Sequence, residues 1–273
     1  MLRLALVLVL AAWTTLVHGQ ARPTLDVLFI GNSYTYVNNL PHILKGLAEG
    51  LREGPAIEPA MAVNGGMPLG WHLANGPAMR MLEQQAWDVV ILQEHSLLGG
   101  YVIDGEPRLA PPGLFHSNAR VLVPKVRAVN AQPLFFMTWA RRGRPQEEPI
   151  LTSAYLDIGR ELNVPVSPVG LVWEDVRRRH PDIDLFSDDG AHPSPAGSYL
   201  AASVLYISLT GRSPEGAPAR IDGNPWSRRT GEVDTTQTVT LVDLPRDQAA
   251  RLQDAAWTVT SAASATPTAA GAR

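Results

Sequence analysis

The sequence predicts an α/β fold in which helices cover both faces of a mostly parallel sheet of five strands. Short apolar runs alternate along the chain with amphipathic helical patterns. The run at residues 88–92 (DVVIL) is continuously apolar after Asp88 and ends at the polar Gln93, as is typical of a strand buried on both faces. A chain of 273 residues, 45% apolar and 18% charged, can build one such domain with a sizeable core.

Five segments have the character of strands, and helical faces lie between them. The predicted strands are residues 25–30, 57–63, 88–92, 133–138 and 164–169. The predicted helices are residues 40–51, with Asn39 as N-cap, and residues 69–86, 119–129 and 151–162. Right-handed crossovers would bring the loops that follow the strands to one edge of the sheet, where α/β proteins bind ligands. Residues 97–113 are predicted to form a long surface loop.

The C-terminal part of the chain predicts further helices beyond the sheet. A helix over residues 196–210 is indicated by Ser194 as N-cap, Pro195 at the first helical position and Gly211 after the last turn. Residues 238–242 are predicted to be an edge strand and residues 246–259 a terminal helix. Residues 261–273 lack an apolar pattern and are predicted to be disordered, so the folded domain is expected over residues 22–260.

The N-terminus has the pattern of a secretory signal peptide over residues 1–21. Arg3 precedes an apolar segment at residues 4–12, and a small-x-small cleavage site follows at residues 19–21. The apolar segment is shorter than the roughly 20 residues of a spanning helix, so no stable membrane insertion is expected. The chain also contains no cysteine, which excludes disulfides and thiol nucleophiles. We expect a secreted or periplasmic protein, of bacterial type.

Composition argues against several classes of partner. The net charge is −3 and no lysine-arginine run is long enough to follow a phosphate backbone, which disfavours nucleic-acid binding. His180, Asp182 and Asp184 have a spacing that matches no defined metal site, so we predict no metal and no cofactor. The sequence does not predict an oligomeric state.

A serine follows the first predicted strand, on the turn Gly31-Asn32-Ser33. Taken alone, this turn could be an ordinary strand-to-helix connection. A serine nucleophile needs a base that is itself oriented by an acid. Asp189 and His192 lie three residues apart before the helix at residue 196, and that spacing allows the carboxylate to accept from the imidazole; Asp188 is the rival acid.

Together, these ordered motifs resemble the SGNH/GDSL hydrolase superfamily over most of residues 25–211. The resemblance rests on Gly31-Asn32-Ser33, on glycines after the second strand and on Asp189-x-x-His192. It implies a flavodoxin-like three-layer αβα sandwich that hydrolyses carboxylic esters. It further implies that Ser33 is the nucleophile, that His192 is the base and that Asp189 orients His192.

The resemblance also implies an oxyanion hole, and here the chain departs from the family. The N–H of Ser33 and that of Gly65 or Gly66 would contribute, together with a side-chain amide from a Gly-x-Asn motif after the third strand. This chain has Gln93-Glu94-His95-Ser96 at that place. Gln93 is the first candidate for the missing donor, and His95 is the second.

The expected function is an exported serine esterase, foremost a carbohydrate O-acetyl esterase acting on a small-molecule or glycan ester. Two alternatives stay open: a lipase or lysophospholipase type of esterase, and a non-catalytic glycan-binding envelope protein. Trp71, Trp139 and Trp173 are candidates for stacking on a sugar ring. Arg141 and Arg142 are candidates for contacting an anionic substrate group, although a solvated loop is the commoner role.

Overall fold

The structure, a computed structural model, describes residues 22–227 and 229–265. Its strands, numbered in chain order, are β1 (Thr24–Gly31), β2 (Ala56–Val63), β3 (Val89–Leu92), β4 (Tyr101–Ile103), β5 (Glu106–Arg108), β6 (Gln132–Phe136), β7 (Val166–Ser167), β8 (Arg220–Gly223), β9 (Trp226–Ser227), β10 (Glu232–Val233) and β11 (Val239–Asp243). Its helices are α1 (Ser33–Tyr36), α2 (Leu40–Leu51), α3 (Leu69–Asn75), α4 (Pro77–Gln84), α5 (Gly113–Ala128), α6 (Glu148–Leu162), α7 (Val169–Arg179), α8 (Pro195–Thr210) and α9 (Arg246–Ala265).

The central sheet has five parallel strands in the order β2-β1-β3-β6-β7, which is the flavodoxin-like order. Side chains of β1 alternate between two cores: Val27 and Phe29 face one, Leu28 and Ile30 the other. Helices α2, α7, α8 and α9 close the first core, and α3, α4, α5 and α6 close the second. The predicted three-layer αβα sandwich is confirmed.

Local sequence signals explain two differences from the predicted elements. The helix expected over residues 69–86 is divided at Gly76, because Pro77 has no N–H to continue the ladder and instead starts α4. The loop expected over residues 97–113 contains the hairpin β4–β5, whose turn is Asp104-Gly105 with both residues at positive φ. Asp-Gly is a strong signal for this kind of two-residue turn.

Further differences concern the ends of elements. The strand expected over residues 164–169 is only β7, and α7 begins at Val169. Ser194 caps α8 as predicted, because its Oγ accepts from the N–H of Gly197 at 3.1 Å. Asn39 holds the N-cap position of α2 as predicted, but its side chain makes no capping bond and donates instead to the carbonyl of Asn224.

The predicted edge strand pairs elsewhere, and the terminal helix is longer than expected. Strand β11 pairs antiparallel with β8 in a separate two-stranded sheet. Helix α9 extends to Ala265, so residues 261–265 of the predicted tail are helical. The remainder of that tail and the predicted signal peptide lie outside the described residues. Within the described ranges, no helix combines the length and the apolarity needed to cross a membrane.

Candidate active site

The turn that carries Ser33 begins where β1 ends. After Gly31 the chain enters α1, and Asn32 caps this single helical turn, with its Oδ1 accepting from the N–H of Tyr34 at 3.2 Å. Ser33 is therefore the first residue of a helix at the carboxyl edge of the sheet. This is the position that the sequence predicted for it.

Gln93, which directly follows β3, holds this turn in place through hydrogen bonds. Its Oε1 accepts from the N–H of Asn32 at 2.9 Å and from the hydroxyl of Thr35 at 3.0 Å. Its Nε2 donates to Asn32 Oδ1 at 3.0 Å and to the carbonyl of Glu94 at 2.5 Å. A side chain at Gly31 would put a Cβ 2.5 Å from this Oε1, which explains the glycine at the end of β1.

These bonds bear directly on the first candidate for the third oxyanion donor. Gln93 is fully buried and is not among the residues that line the cavity around Ser33. Both of its N–H groups are already donated within the protein, so neither is left for a substrate. We therefore correct the prediction that Gln93 is an oxyanion donor. Its side chain instead holds the turn that carries Ser33 in place.

His192 and Asp189 lie beside Ser33, on the loop before α8. The ring Nε2 of His192 is 2.8 Å from Ser33 Oγ, and its Nδ1 is 2.5 Å from Asp189 Oδ2. Asp189 Oδ1 accepts from the N–H groups of Ala191 and His192, both at 2.9 Å. Burial by itself would raise the pKa of Asp189, but the hydrogen bonds from His192 and the two backbone groups outweigh it and lower the pKa to about 2.

Asp189 therefore remains a carboxylate at any mild pH and can hold the imidazole by its Nδ1–H. With that proton on Nδ1, the Nε2 lone pair faces the hydroxyl of Ser33, as a general base requires. The rival acid, Asp188, makes no hydrogen bond to His192 in the described structure. The edge of the His192 ring also packs against Tyr34, with 5.6 Å between ring centroids.

Ser33 opens onto a cavity of about 750 Å³. Its lining includes Asn32, Ser33, Tyr34, Tyr36, Val37, Val63, Asn64, Gly65, Gly66, His95, Ser96, Arg141, Asp189, His192, Trp226 and Gly231. Among the described residues, no acceptor pairs with the backbone N–H of Ser33 or of Gly65. Gly66 has φ +68°, a conformation that favours glycine, and it also reaches this lining.

His95 and Ser96, on the segment that follows β3, reach the cavity, and His95 is the one with a ring N–H to offer. The N–H of Leu97 donates to its Nδ1 at 3.3 Å, which places the ring proton on Nε2. Burial, and after it the charge of Arg141, lower the pKa of His95 below its usual value. The ring is therefore neutral near pH 7 and carries one N–H donor.

A second cavity of about 450 Å³ adjoins the first, with Gly66, His95 and Arg141 common to both linings. Apolar side chains dominate its wall: Met67, Pro68, Leu97, Leu98, Tyr101, Val102, Leu114 and Phe115. Glu94 also contributes, and its carboxylate accepts from the N–H groups of His95 and Leu69. Burial raises the pKa of Glu94 to about 7, despite these two bonds.

The three tryptophans predicted to stack on a sugar ring do not line the Ser33 cavity. Trp139 and Trp173 are buried and stack on each other with 3.8 Å between centroids. Trp71 lies on α3 and does not line the Ser33 cavity. The tryptophan that does is Trp226, half-buried and stacked on Tyr36 at 5.0 Å. Its short strand lies in a region with no regular apolar pattern, so the sequence carried no signal for it.

No family model and no curated protein sequence matches the chain. Solved structures do match. A protein from Slackia heliotrinireducens, described as a candidate SGNH hydrolase, is 26% identical with a TM-score of 0.55, and the alignment covers 68% of this chain and 99% of that one. The chain belongs to the SGNH/GDSL hydrolase superfamily.

Two more distant structures share its fold. A DUF4886 family protein from Bacteroides uniformis is 18% identical with a TM-score of 0.57, over 86% of this chain and 94% of that one. A lipase/acylhydrolase from Enterococcus faecalis is 17% identical with a TM-score of 0.50, over 70% and 97%. As an SGNH/GDSL hydrolase, this chain presents the serine, histidine and aspartate of its sequence motifs in mutual hydrogen-bond contact.

Proposed function

We propose that this SGNH/GDSL hydrolase is a serine esterase that cleaves carboxylic esters through an acyl-enzyme. The observation that carries the proposal is the unbroken hydrogen-bond chain from Ser33 Oγ through His192 to Asp189, at the wall of an open cavity. A serine hydroxyl gains nucleophilicity only when a base can accept its proton as it attacks.

In the first half of the reaction, Ser33 Oγ attacks the ester carbonyl while His192 Nε2 accepts the hydroxyl proton. The tetrahedral intermediate collapses as the C–O bond to the alcohol breaks, and His192 returns the proton to the departing alkoxide. Water then attacks the acyl-enzyme with the same assistance, and the acid and free Ser33 are released. Asp189 stabilises the imidazolium through the Nδ1–H bond.

Three donors are proposed for the oxyanion. The backbone N–H groups of Ser33 and Gly65 find no acceptor in the described part of the chain and border the cavity, with Gly66 as the alternative to Gly65. The third is Nε2–H of His95, because its tautomer leaves a donor free and its ring lines the cavity. A neutral imidazole can do this work without competing with His192 for the Ser33 proton.

The proposed substrate is a small acyl group, foremost acetyl, on a carbohydrate. Support comes from the Tyr36–Trp226 stack beside Ser33, since aromatic faces pack well on the apolar faces of sugar rings. Export by the predicted signal peptide, to the periplasm or beyond, would bring the protein to such glycans.

A second candidate is an esterase for longer acyl chains. The apolar second cavity favours it, because an acyl chain that passes His95 would enter a space lined by Leu97, Leu98 and Phe115. A glycan acetylesterase should prefer two-carbon acyl groups, whereas this alternative predicts a preference for about eight carbons or more.

Hydrolysis of 4-nitrophenyl esters of increasing acyl length tests both candidates. Ser33→Ala should abolish turnover, while Ser213→Ala, which changes a serine outside the cavity, should match wild type. Acetylated oligosaccharides should be deacetylated faster than the aryl acetate if the glycan assignment holds. Equal rates for wild type and Ser33→Ala would instead support the non-catalytic glycan-binding alternative.

A further inference from the structure

We propose that Arg141 binds a carboxylate carried by the substrate, close to the scissile ester. This inference rests on the proposed esterase function and narrows its substrate class to acidic esters. Arg141 lines both the Ser33 cavity and the adjoining apolar cavity, so its guanidinium lies where the two parts of a bound ester would meet.

The side chain of Arg141 has no partner in the described part of the chain. Its Nε is buried without a hydrogen bond, and no carboxylate of the described residues forms an ion pair with the guanidinium. Neighbouring arginines of the same loop behave differently: Arg142 pairs with Asp184, and Arg144 pairs with Glu106 and Glu147. Partial burial of an unpaired guanidinium costs desolvation free energy, and a bound anion would offset that cost.

No carboxylate of the described cavity walls is free to serve as that counterion. Both carboxylate oxygens of Asp189 already accept hydrogen bonds, from the His192 ring and from backbone N–H groups. Glu94, on the wall of the second cavity, accepts from two backbone N–H groups, and burial keeps it largely protonated below its pKa of about 7. Since the described walls leave no carboxylate for Arg141, a bound substrate is the source of anion that we propose.

The backbone that carries Arg141 is fastened to the loop of His192. On one side of Arg141, the indole Nε1 of Trp139 donates to the carbonyl of Ala191 at 3.1 Å. On the other side, the N–H of Arg142 donates to the carbonyl of Gly190 at 2.8 Å. A group bound by Arg141 is thus held at a fixed place relative to the reacting atoms, which is what a specificity contact needs.

A guanidinium favours a carboxylate because its planar fork can donate two parallel hydrogen bonds to the two oxygens. The carboxylate could belong to the acyl part of the ester, as in a dicarboxylic half-ester, or to the alcohol part, as in an ester of an acidic sugar. Both sources offer Arg141 the same chemistry, and suitable substrates separate them.

Two pairs of esters test the inference. For the alcohol side, 4-acetoxybenzoate is compared with its neutral methyl ester; for the acyl side, mono-4-nitrophenyl glutarate is compared with 4-nitrophenyl butyrate. Rates are normalised to hydroxide-catalysed hydrolysis of each ester. Wild type should favour the carboxylate member of at least one pair by about tenfold in kcat/KM, the size expected of a charge-assisted contact at a partly exposed site.

Arg141→Gln should remove this preference, and Arg141→Lys, which keeps the charge but loses the fork, should retain part of it. Arg178→Gln is the matched control, because it removes an arginine that pairs with Asp175 and lines neither cavity. Circular dichroism and thermal unfolding establish that each variant is folded. If Arg141→Gln does not fold, the carboxylate preference of wild type and its change in Arg141→Lys decide whether Arg141 binds the carboxylate.

Failure of the inference is distinguishable from failure of the proposed function. Hydrolysis of the neutral esters without any carboxylate preference in wild type, or with the same preference in Arg141→Gln, would overturn the role of Arg141 and leave the esterase intact. If wild type hydrolyses none of the four esters, the esterase proposal fails. NMR titration of the His95 ring with glutarate and 4-hydroxybenzoate then decides whether Arg141 binds a carboxylate. Saturable binding to wild type that Arg141→Gln loses supports the anion site; equal or absent binding overturns it.

Discussion

Replacement of Gln93 by alanine should weaken the fold and slow the reaction together. The amide makes four hydrogen bonds, to Asn32 through both its N–H and its Oδ1, to Thr35 and to the carbonyl of Glu94. It is fully buried, so water cannot replace those bonds without entering the core. The turn that carries Ser33 would lose its support from β3.

The expected size follows from the number of bonds. A typical intramolecular hydrogen bond contributes about 1 kcal/mol net, so Gln93→Ala should lower the free energy of unfolding by about 4 kcal/mol. In a domain of this size such a loss corresponds to a fall in Tm of about 10 °C. The kcat for 4-nitrophenyl acetate should fall by more than about tenfold, because misplacement of a nucleophile by as little as 1 Å is already costly.

Chemical denaturation and steady-state kinetics on the same samples test this expectation. Gln253→Ala is the matched control: Gln253 is also buried, and it bonds to Tyr199, Ala217 and Gly216 away from the cavity. That variant should lose about 3 kcal/mol of stability and keep its kcat. A Gln93→Ala protein of wild-type stability with a large loss of kcat would refute the reasoning and return Gln93 to the oxyanion hole.

Three further predictions concern the neighbouring groups. His95→Ala should lower kcat by about 10²-fold or more with little change in KM, since a lost oxyanion donor acts on the transition state; an unchanged kcat would exclude His95 as the donor. Asp189→Asn should lower kcat by several orders of magnitude, whereas Asp188→Asn should match wild type in the same assay. Glu94→Gln should flatten the pH dependence of stability. Because the folded pKa of Glu94, about 7, lies above its unfolded value, this group's contribution to stability is fully present below pH 4.5 and is lost as pH rises to about 7. That shift is worth about 3 kcal/mol, and it is measured as the wild-type-minus-variant difference in unfolding free energy, in which the similar contribution of Glu148 cancels.

The central fold was predictable because its strands are continuous apolar runs separated by periodic helices. Burial on both faces leaves such a strand little freedom to be anything else, and residues 27–30 of β1 are fully buried. Helix α7 was missed although Val169, Val172, Trp173 and Val176 are buried at helical spacing. Its first residue follows Pro168 directly after β7, so strand and helix read as one apolar segment.

The site was predictable only in part, for a physical reason. Ser33, Asp189 and His192 lie on turns whose local sequence sets their position, and the structure brings them together. The roles of Gln93 and His95 depend on which residues they contact on neighbouring strands, and those contacts cannot be predicted from the local sequence. The amide of Gln93 meets Asn32, 61 residues away, and is consumed there, whereas His95 is left facing the cavity.

The central claim is that Ser33 is the nucleophile, and covalent labelling tests it most directly. Wild-type protein is treated with a fluorophosphonate, digested, and examined by mass spectrometry for the modified peptide. We expect one adduct, on Ser33, that is absent from Ser33→Ala and greatly slowed in His192→Ala, because His192 Nε2 is the base 2.8 Å from the hydroxyl. An unlabelled wild type, or an adduct on another residue that persists in Ser33→Ala, would contradict it.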